Sequence, residues 1–218
     1  DIDNVSVDNC DTSVSLSLDI TSFDCSKLGA NTVTLTVTDD AGNVASATAT
    51  VTVIDNIKPV ITASGDQTVS NDAGVCGALV TVSATATDNC LPMSNTPSGV
   101  RSDSLLLSDL YPVGTTTITW TIDDNSGNTA STTQTVTVND VEDPVFASTF
   151  SPVTVNNDLG VCTYDTAQLL VPTVSDNCTP FNGLVTVSPA SLNVSAGPDH
   201  TPSTVTWTAT DNYGNTVS

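Results

Sequence analysis

Positive charge is almost missing from this 218-residue sequence: Lys27, Lys58 and Arg101 are its only cations against 24 acidic residues, a net charge of −21. A field of that sign repels phosphate backbones and anionic headgroups, which argues against nucleic acid and membrane surfaces as partners. Glu is nearly absent too, Glu142 being the only one, and Lys, Met and Leu are scarce, so the residues that build helices are missing. No apolar run approaches the ~20 residues needed to span a bilayer, and no basic-then-apolar segment opens the chain. Any export signal or anchor is therefore expected outside it. There is no CxxC pair, and His200 is the only His, which removes a four-ligand zinc site. It also leaves a nucleophile without a base, since Lys27 and Lys58 stand in unrelated surroundings. Paired carboxylates recur along the chain, whereas an active site would occur once. The expectation is that this is not an enzyme.

What is present in quantity is Thr, Val, Ser and Asp. Val33, Leu35 and Val37 alternate with threonines, as do Val51 and Val53, then Ile118, Trp120 and Ile122, Val136 and Val138, and finally Val205, Trp207 and Ala209. Period two is the signature of a strand with one face inward. Trp120 and Trp207, like Leu35 at the equivalent place, read as core anchors.

Three landmarks repeat in order. Asp8-Asn9-Cys10 returns as Asp88-Asn89-Cys90 and Asp176-Asn177-Cys178. The Gly-Asn turn at Gly42-Asn43 returns at Gly127-Asn128 and Gly214-Asn215, and the junction Asp55 to Val60 returns as Asp140 to Val145. A period near 85 residues suits one β-sandwich. The sequence therefore predicts an all-β, elongated array of tandem immunoglobulin-like repeats at 1–55, 56–140 and 141–218. The first is cut short at its start and the third lacks its last strand, which predicts a longer natural chain. Six cysteines fall two to a repeat, Cys10 with Cys25, Cys76 with Cys90, and Cys162 with Cys178. That distribution suggests local disulfides, each closing a loop of about 15 residues and worth roughly 3 kcal/mol, and an oxidising compartment.

If the topology is immunoglobulin-like, the junction, the loop after the second strand and the last hairpin turn meet at one end of a repeat. Asp55, Asp88, Asp123 and Asp124 would then converge at one joint, and Asp140, Glu142, Asp143, Asp176 and Asp211 at the next. Asp8, Asp39 and Asp40 would match them in the first repeat. Oxygen-only ligands on short side chains suit Ca²⁺. The competing reading is turn chemistry alone, for which Asp, Asn and Gly are equally suited.

Gly74-Val75-Cys76, Asp88-Asn89-Cys90, Tyr111-Pro112-Val113-Gly114-Thr115 and Asp124-Asn125-Ser126-Gly127-Asn128 together resemble a hyalin-repeat (HYR) module. Gly160-Val161-Cys162, Asp176-Asn177-Cys178 and Asp211 to Asn215 repeat the pattern. The first repeat departs from it, since Cys25 follows its Asp-Asn-Cys, and is more similar to immunoglobulin-like repeats of large Bacteroidota-type surface adhesins. The resemblance implies an immunoglobulin-like fold, a place on the cell surface or outside the cell, and adhesion, with no catalytic residue. We therefore expect a stiff stalk whose partners are its own neighbouring repeats. One alternative is a filament in which copies of the chain complete one another by strand donation. Another is a module binding surface glycans or proteins through Leu91 to Asp109, with Met93, Arg101 and Leu105-Leu106-Leu107, although those leucines are expected to pack under the sandwich. Asn4, Asn177 and Asn193 fit the N-glycosylation sequon, and Ser104 and Thr166 follow Asp as short O-glycosylation sites do.

Overall fold

The computed structural model describes residues 13–90, 96–147, 153–156, 162–178, 180–193 and 203–218. Asn4, Asp8, Cys10, Met93 and His200 lie outside the described residues. The fold is all-β: among the described residues are eighteen strands, two 3₁₀ turns at Cys25–Lys27 and Thr166–Gln168, and no α-helix. β1 (Ser15–Leu18), β2 (Gly29–Thr38) and β3 (Val44–Val53) come first. The middle stretch holds β4 (Val60–Ala63), β5 (Gln67–Ser70), β6 (Gly77–Ala78), β7 (Ala84–Thr87), β8 (Ser98–Arg101), β9 (Tyr111–Pro112), β10 (Gly114–Asp123) and β11 (Thr129–Asn139). The last holds β12 (Val145–Phe146), β13 (Thr163–Asp165), β14 (Val174–Ser175), β15 (Leu184–Ser188), β16 (Ser191–Asn193), β17 (Thr206–Thr210) and β18 (Thr216–Val217).

The chain divides into two compact units, residues 1–64, 83–99 and 119–133 in one and residues 65–82, 100–118 and 134–218 in the other. In the first, β2 lies between β1 and β3, both antiparallel to it, and β4 pairs with β7. In the second, β5 runs parallel to Val136–Asn139 of β11, β6 pairs with β9, β12 with β14, β13 with β16, and β17 lies between β15 and β18.

The alternating residues do face inward. In the first unit Val33, Leu35, Trp120 and Ile122 are buried, and in the second Tyr111, Ile118, Val136, Val138 and Ala209 are. Gly99 makes room for Trp120, because a Cβ there would stand 2.8 Å from the indole ring. Trp207 departs from expectation: it is half-buried and lines an apolar cleft with Val153, Tyr164, Leu192 and Val205.

Arg101, raised above as a binding candidate, is instead 2 % exposed. Its guanidinium forks onto Asp103 through Nε at 2.9 Å and Nη2 at 2.5 Å. The remaining N–H groups donate to the carbonyls of Leu106, Asp109 and Leu110 at 2.8–3.0 Å, and the group stacks 3.8 Å from the Tyr111 ring centroid. All five donors are consumed closing the loop, so none is left for a ligand. The leucines beside it also differ from expectation, since Leu105 and Leu106 are exposed and Leu107 is half-buried. The modification candidates separate in the same way. Thr166 is fully buried with its hydroxyl donating to Pro189 O at 2.7 Å, which removes it as an O-glycosylation site, while Ser104 is exposed.

Two outcomes follow. Arg101→Lys, with three donors and no planar fork, leaves buried carbonyls unpaired and lowers stability by about 3 kcal/mol or more in urea unfolding followed by tryptophan fluorescence. At the first hairpin, the Asn43 side-chain amide and N–H donate to Asp39 at 2.7 Å each and hold its carboxyl below the usual carboxylate range. A depressed folded pKa means the contribution is present above the ordinary value and lost as pH falls through the lowered one. Amide protection in β2 and β3, corrected for intrinsic exchange, therefore falls as pH drops below the ordinary carboxylate range, and Asp39→Asn removes that acid-dependent loss.

Candidate metal centres

Every Gly-Asn turn is tied by the same device. Gly42, Gly127 and Gly214 take positive φ of 86°, 97° and 97°, which glycine adopts without steric cost, and an acid four residues before each Asn accepts from it. Asp124 Oδ1 accepts from the N–H groups of Ser126 and Asn128 and Oδ2 from Asn128 Nδ2; Asp211 Oδ1 accepts from the N–H groups of Tyr213, Gly214 and Asn215 and Oδ2 from Asn215 Nδ2. Burial pushes both carboxyls up, but these donors outweigh it and leave both below the usual range. The Asn amides also reach back to the preceding junction: Asn128 Nδ2 donates to Asp55 O at 3.1 Å and Asn215 Nδ2 to Asp140 O at 3.3 Å. These two asparagines were missed as site residues in the sequence, although the recurrence of Asn after Gly was visible there.

At the first joint Asp55, Asp88 and Asp124 each bring a carboxylate oxygen within 4.8 Å of the others. Asp55 Oδ1 accepts from Ile57 N at 3.1 Å and Asn89 Nδ2 at 3.4 Å, and Asp88 Oδ2 accepts from Cys90 N at 3.3 Å. Their other oxygens, Asp55 Oδ2 and Asp88 Oδ1, are buried with no hydrogen-bond partner among the described residues. At the second joint Asp140, Asp176 and Cys178 come together in the same way. Asp140 Oδ1 accepts from Glu142 N at 3.2 Å and Asp176 Oδ1 from Cys178 N at 2.8 Å, leaving both Oδ2 atoms buried and unpartnered, with Asn177 Oδ1 likewise. Asp140 is only 7 % exposed. Burial, with the charges of Asp140, Asp211 and Glu142 beside it, pushes the Asp176 carboxyl above its usual range.

The remaining candidates spend carboxylate oxygens on backbone N–H groups. Asp123 is exposed and accepts from Asn125 N at 2.7 Å. Glu142 spends both oxygens on Gly74 N, at 2.8 and 3.0 Å, and Asp143 accepts from Thr216 N at 3.2 Å. Asp39 is occupied by its own turn.

The disulfides correct the expected pairing. Cys25 is bonded to Cys90 and Cys76 to Cys178, separations of 65 and 102 residues, while Cys162 is a free, exposed thiol and Cys10 lies outside the described residues. Each bond links two of the repeats read in the sequence, Cys25 and Cys90 lying in the first compact unit and Cys76 and Cys178 in the second. Loops this long raise the chain-entropy value of each bond to about 4–5 kcal/mol. Asn177 is also committed, its Nδ2 donating to Val75 O at 3.2 Å beside the bonded Cys76.

The donor sets fit a hard cation. Unpartnered buried carboxylate oxygens of like charge repel, and a divalent ion preferring oxygen relieves both the desolvation and the repulsion. The Cys178 sulfur is held in its disulfide and offers no thiolate, so the second set is also an oxygen set.

The chain is all-β, carries two long-range disulfides and brings buried carboxylates together at two loop clusters. Residues 102–138, which contain the second Gly-Asn hairpin, match the sequence model of the HYR domain. No curated protein matches the chain. Similar solved structures include the protocadherin gammaB7 EC3-6 cis-dimer, 16% identical over 94% of this chain with a TM-score of 0.41. The protocadherin gammaB4 extracellular domain is 17% identical over 80% at 0.37, and protocadherin gamma B2 extracellular cadherin domains 1-5 are 12% identical over 93% at 0.40. The chain spans 66%, 33% and 45% of the length of those chains.

One outcome isolates the two asparagines. Asn128→Ala removes the amide bridging Asp124 to Asp55 O and lowers stability by about 1–3 kcal/mol, whereas Ser126→Ala at an exposed position of the same turn changes it by less than about 0.5 kcal/mol; chemical unfolding of the two variants checks this.

Proposed function

We propose that the chain is a run of extracellular, non-catalytic adhesion repeats, part of the stalk of a cell-surface adhesin, in which Ca²⁺ and a disulfide lock each repeat to the next. The observation carrying this reading is the recurrence, at both joints, of buried carboxylate oxygens that no described residue satisfies. Asp55, Asp88 and Asp124 would hold one ion, and Asp140 and Asp176, beside Asp211, the other, with loop carbonyls and water completing the 6–8 oxygens that Ca²⁺ takes. The ion would supply charge neutralisation and stiffness, with no chemistry of bond breaking. The disulfides and the HYR match support an extracellular setting, and no helix among the described residues is long and apolar enough to cross a membrane. The stalk's first partners are its neighbouring repeats; its tip partners would be other copies or surface glycans and proteins.

The test is calcium titration followed by calorimetric unfolding. Saturation at about 100 times the dissociation constant adds roughly 2.7 kcal/mol per site. The expected result is two ions per chain, reduced to one by Asp88→Asn and to one by Asp176→Asn, with a matching fall in melting temperature. An unfolding curve identical in calcium and in EDTA would leave the acidic loops as turn chemistry and overturn the reading.

A further inference from the structure

We propose that the disulfide at each joint sets that joint's calcium affinity, making the lock responsive to thiol reductants, and that bound calcium in turn protects the disulfide; this rests on the calcium reading above. The basis is that ligand and crosslink share one three-residue loop. In Asp88-Asn89-Cys90 the Cys90 N–H holds Asp88 Oδ2, which leaves Oδ1 for the ion, and Cys90 is bonded to Cys25. In Asp176-Asn177-Cys178 the Cys178 N–H holds Asp176 Oδ1 and leaves Oδ2, and Cys178 is bonded to Cys76.

The junction acid comes from a different segment. At the first joint the Asp88 loop reaches the Asp55 side chain through a 3.4 Å hydrogen bond from Asn89 Nδ2. On the far side of that disulfide, Cys25 opens a 3₁₀ turn capped by Asp24, which accepts from Ser26 N at 2.9 Å, so the anchor is ordered. At the second joint the anchor is Cys76, whose loop is fixed to the junction by Gly74 N to Glu142 and by Val141 N to Asn71 Oδ1 at 3.0 Å. The disulfide therefore presses one carboxylate against another that repels it, and the assembled site is ready for a cation at no further ordering cost. Reduction proceeds by attack of one reductant thiolate on a joint sulfur and resolution of the mixed disulfide by a second; two cysteine thiols form, and the reductant leaves as its own disulfide. The loop is then free to swing its carboxylate away. Coupling is reciprocal, so calcium shifts the dithiol–disulfide equilibrium toward the disulfide by the same factor by which reduction weakens calcium.

The experiment compares calcium binding by isothermal titration in the oxidised chain, in the chain reduced with dithiothreitol, and in the single-joint variant Cys25→Ser/Cys90→Ser, with circular dichroism on each. The oxidised chain is expected to bind two ions. The variant keeps one site unchanged, which also reports that its fold is intact, and weakens the other by about tenfold or more, within the usual range of such couplings. In glutathione buffers of graded ratio, calcium shifts the dithiol–disulfide equilibrium of the oxidised chain by that same factor relative to EDTA. No calcium binding to the oxidised chain would overturn the calcium reading itself. Two sites of equal affinity in the oxidised chain and the variant, with no shift in glutathione, would leave that reading in place and overturn this one.

Discussion

Like charges are held together at each joint, and the surrounding loops are arranged around that conflict. Asp55 with Asp88, and Asp140 with Asp176, come from separate segments, and each pair shows inward oxygens with no protein partner. Such a pair drifts apart unless something opposes its repulsion. A covalent bond two residues from one carboxylate does so, and a hard cation would complete the balance. The Gly-Asn hairpin adds the third side, with Asn128 and Asn215 each donating both to their own turn acid and to the carbonyl of the junction acid. One oxygen of each of Asp55, Asp88, Asp140 and Asp176 closes a turn, and the other has no partner among the described residues, so turn chemistry leaves an oxygen that metal chemistry would use.

That division also explains why acids adjacent in sequence have different fates. Asp123 and Asp124 are indistinguishable by composition, but they end and follow a strand whose side chains alternate, so Asp124 faces the joint and Asp123 faces solvent. Glu142 is near the second joint yet spends both oxygens on one backbone N–H, the role that anchors the Cys76 loop to the junction.

The strands and the core faces were legible, because period-two burial is a local property: Val33 and Leu35, Ile118, Trp120 and Ile122, and Val136 and Val138 read directly. Repetition in the sequence grouped Asp55, Asp88 and Asp124, whose carboxylates do lie close together, but it did not separate Asp123 from them. Disulfide partners were not, because pairing depends on where loops separated by 65 and 102 residues lie in space, while sequence spacing favours the nearest thiol. Arg101 misled for a related reason. A lone cation in an acidic chain suggests a ligand contact, yet its donors all turn inward onto Asp103 and three carbonyls that follow it within nine residues.

The claim that the crosslinks pass from repeat to repeat has a direct test in the scarcity of cations. Lys58 precedes Pro59 and resists trypsin, so digestion of the denatured chain cuts after Lys27 and Arg101 and gives three fragments, each carrying two cysteines. Bonds from Cys25 to Cys90 and from Cys76 to Cys178 tie all three together, and the digest runs on a non-reducing denaturing gel as one species that separates on reduction. Three fragments already separate before reduction would mean that each repeat closes on itself, and the account of the joints would be wrong.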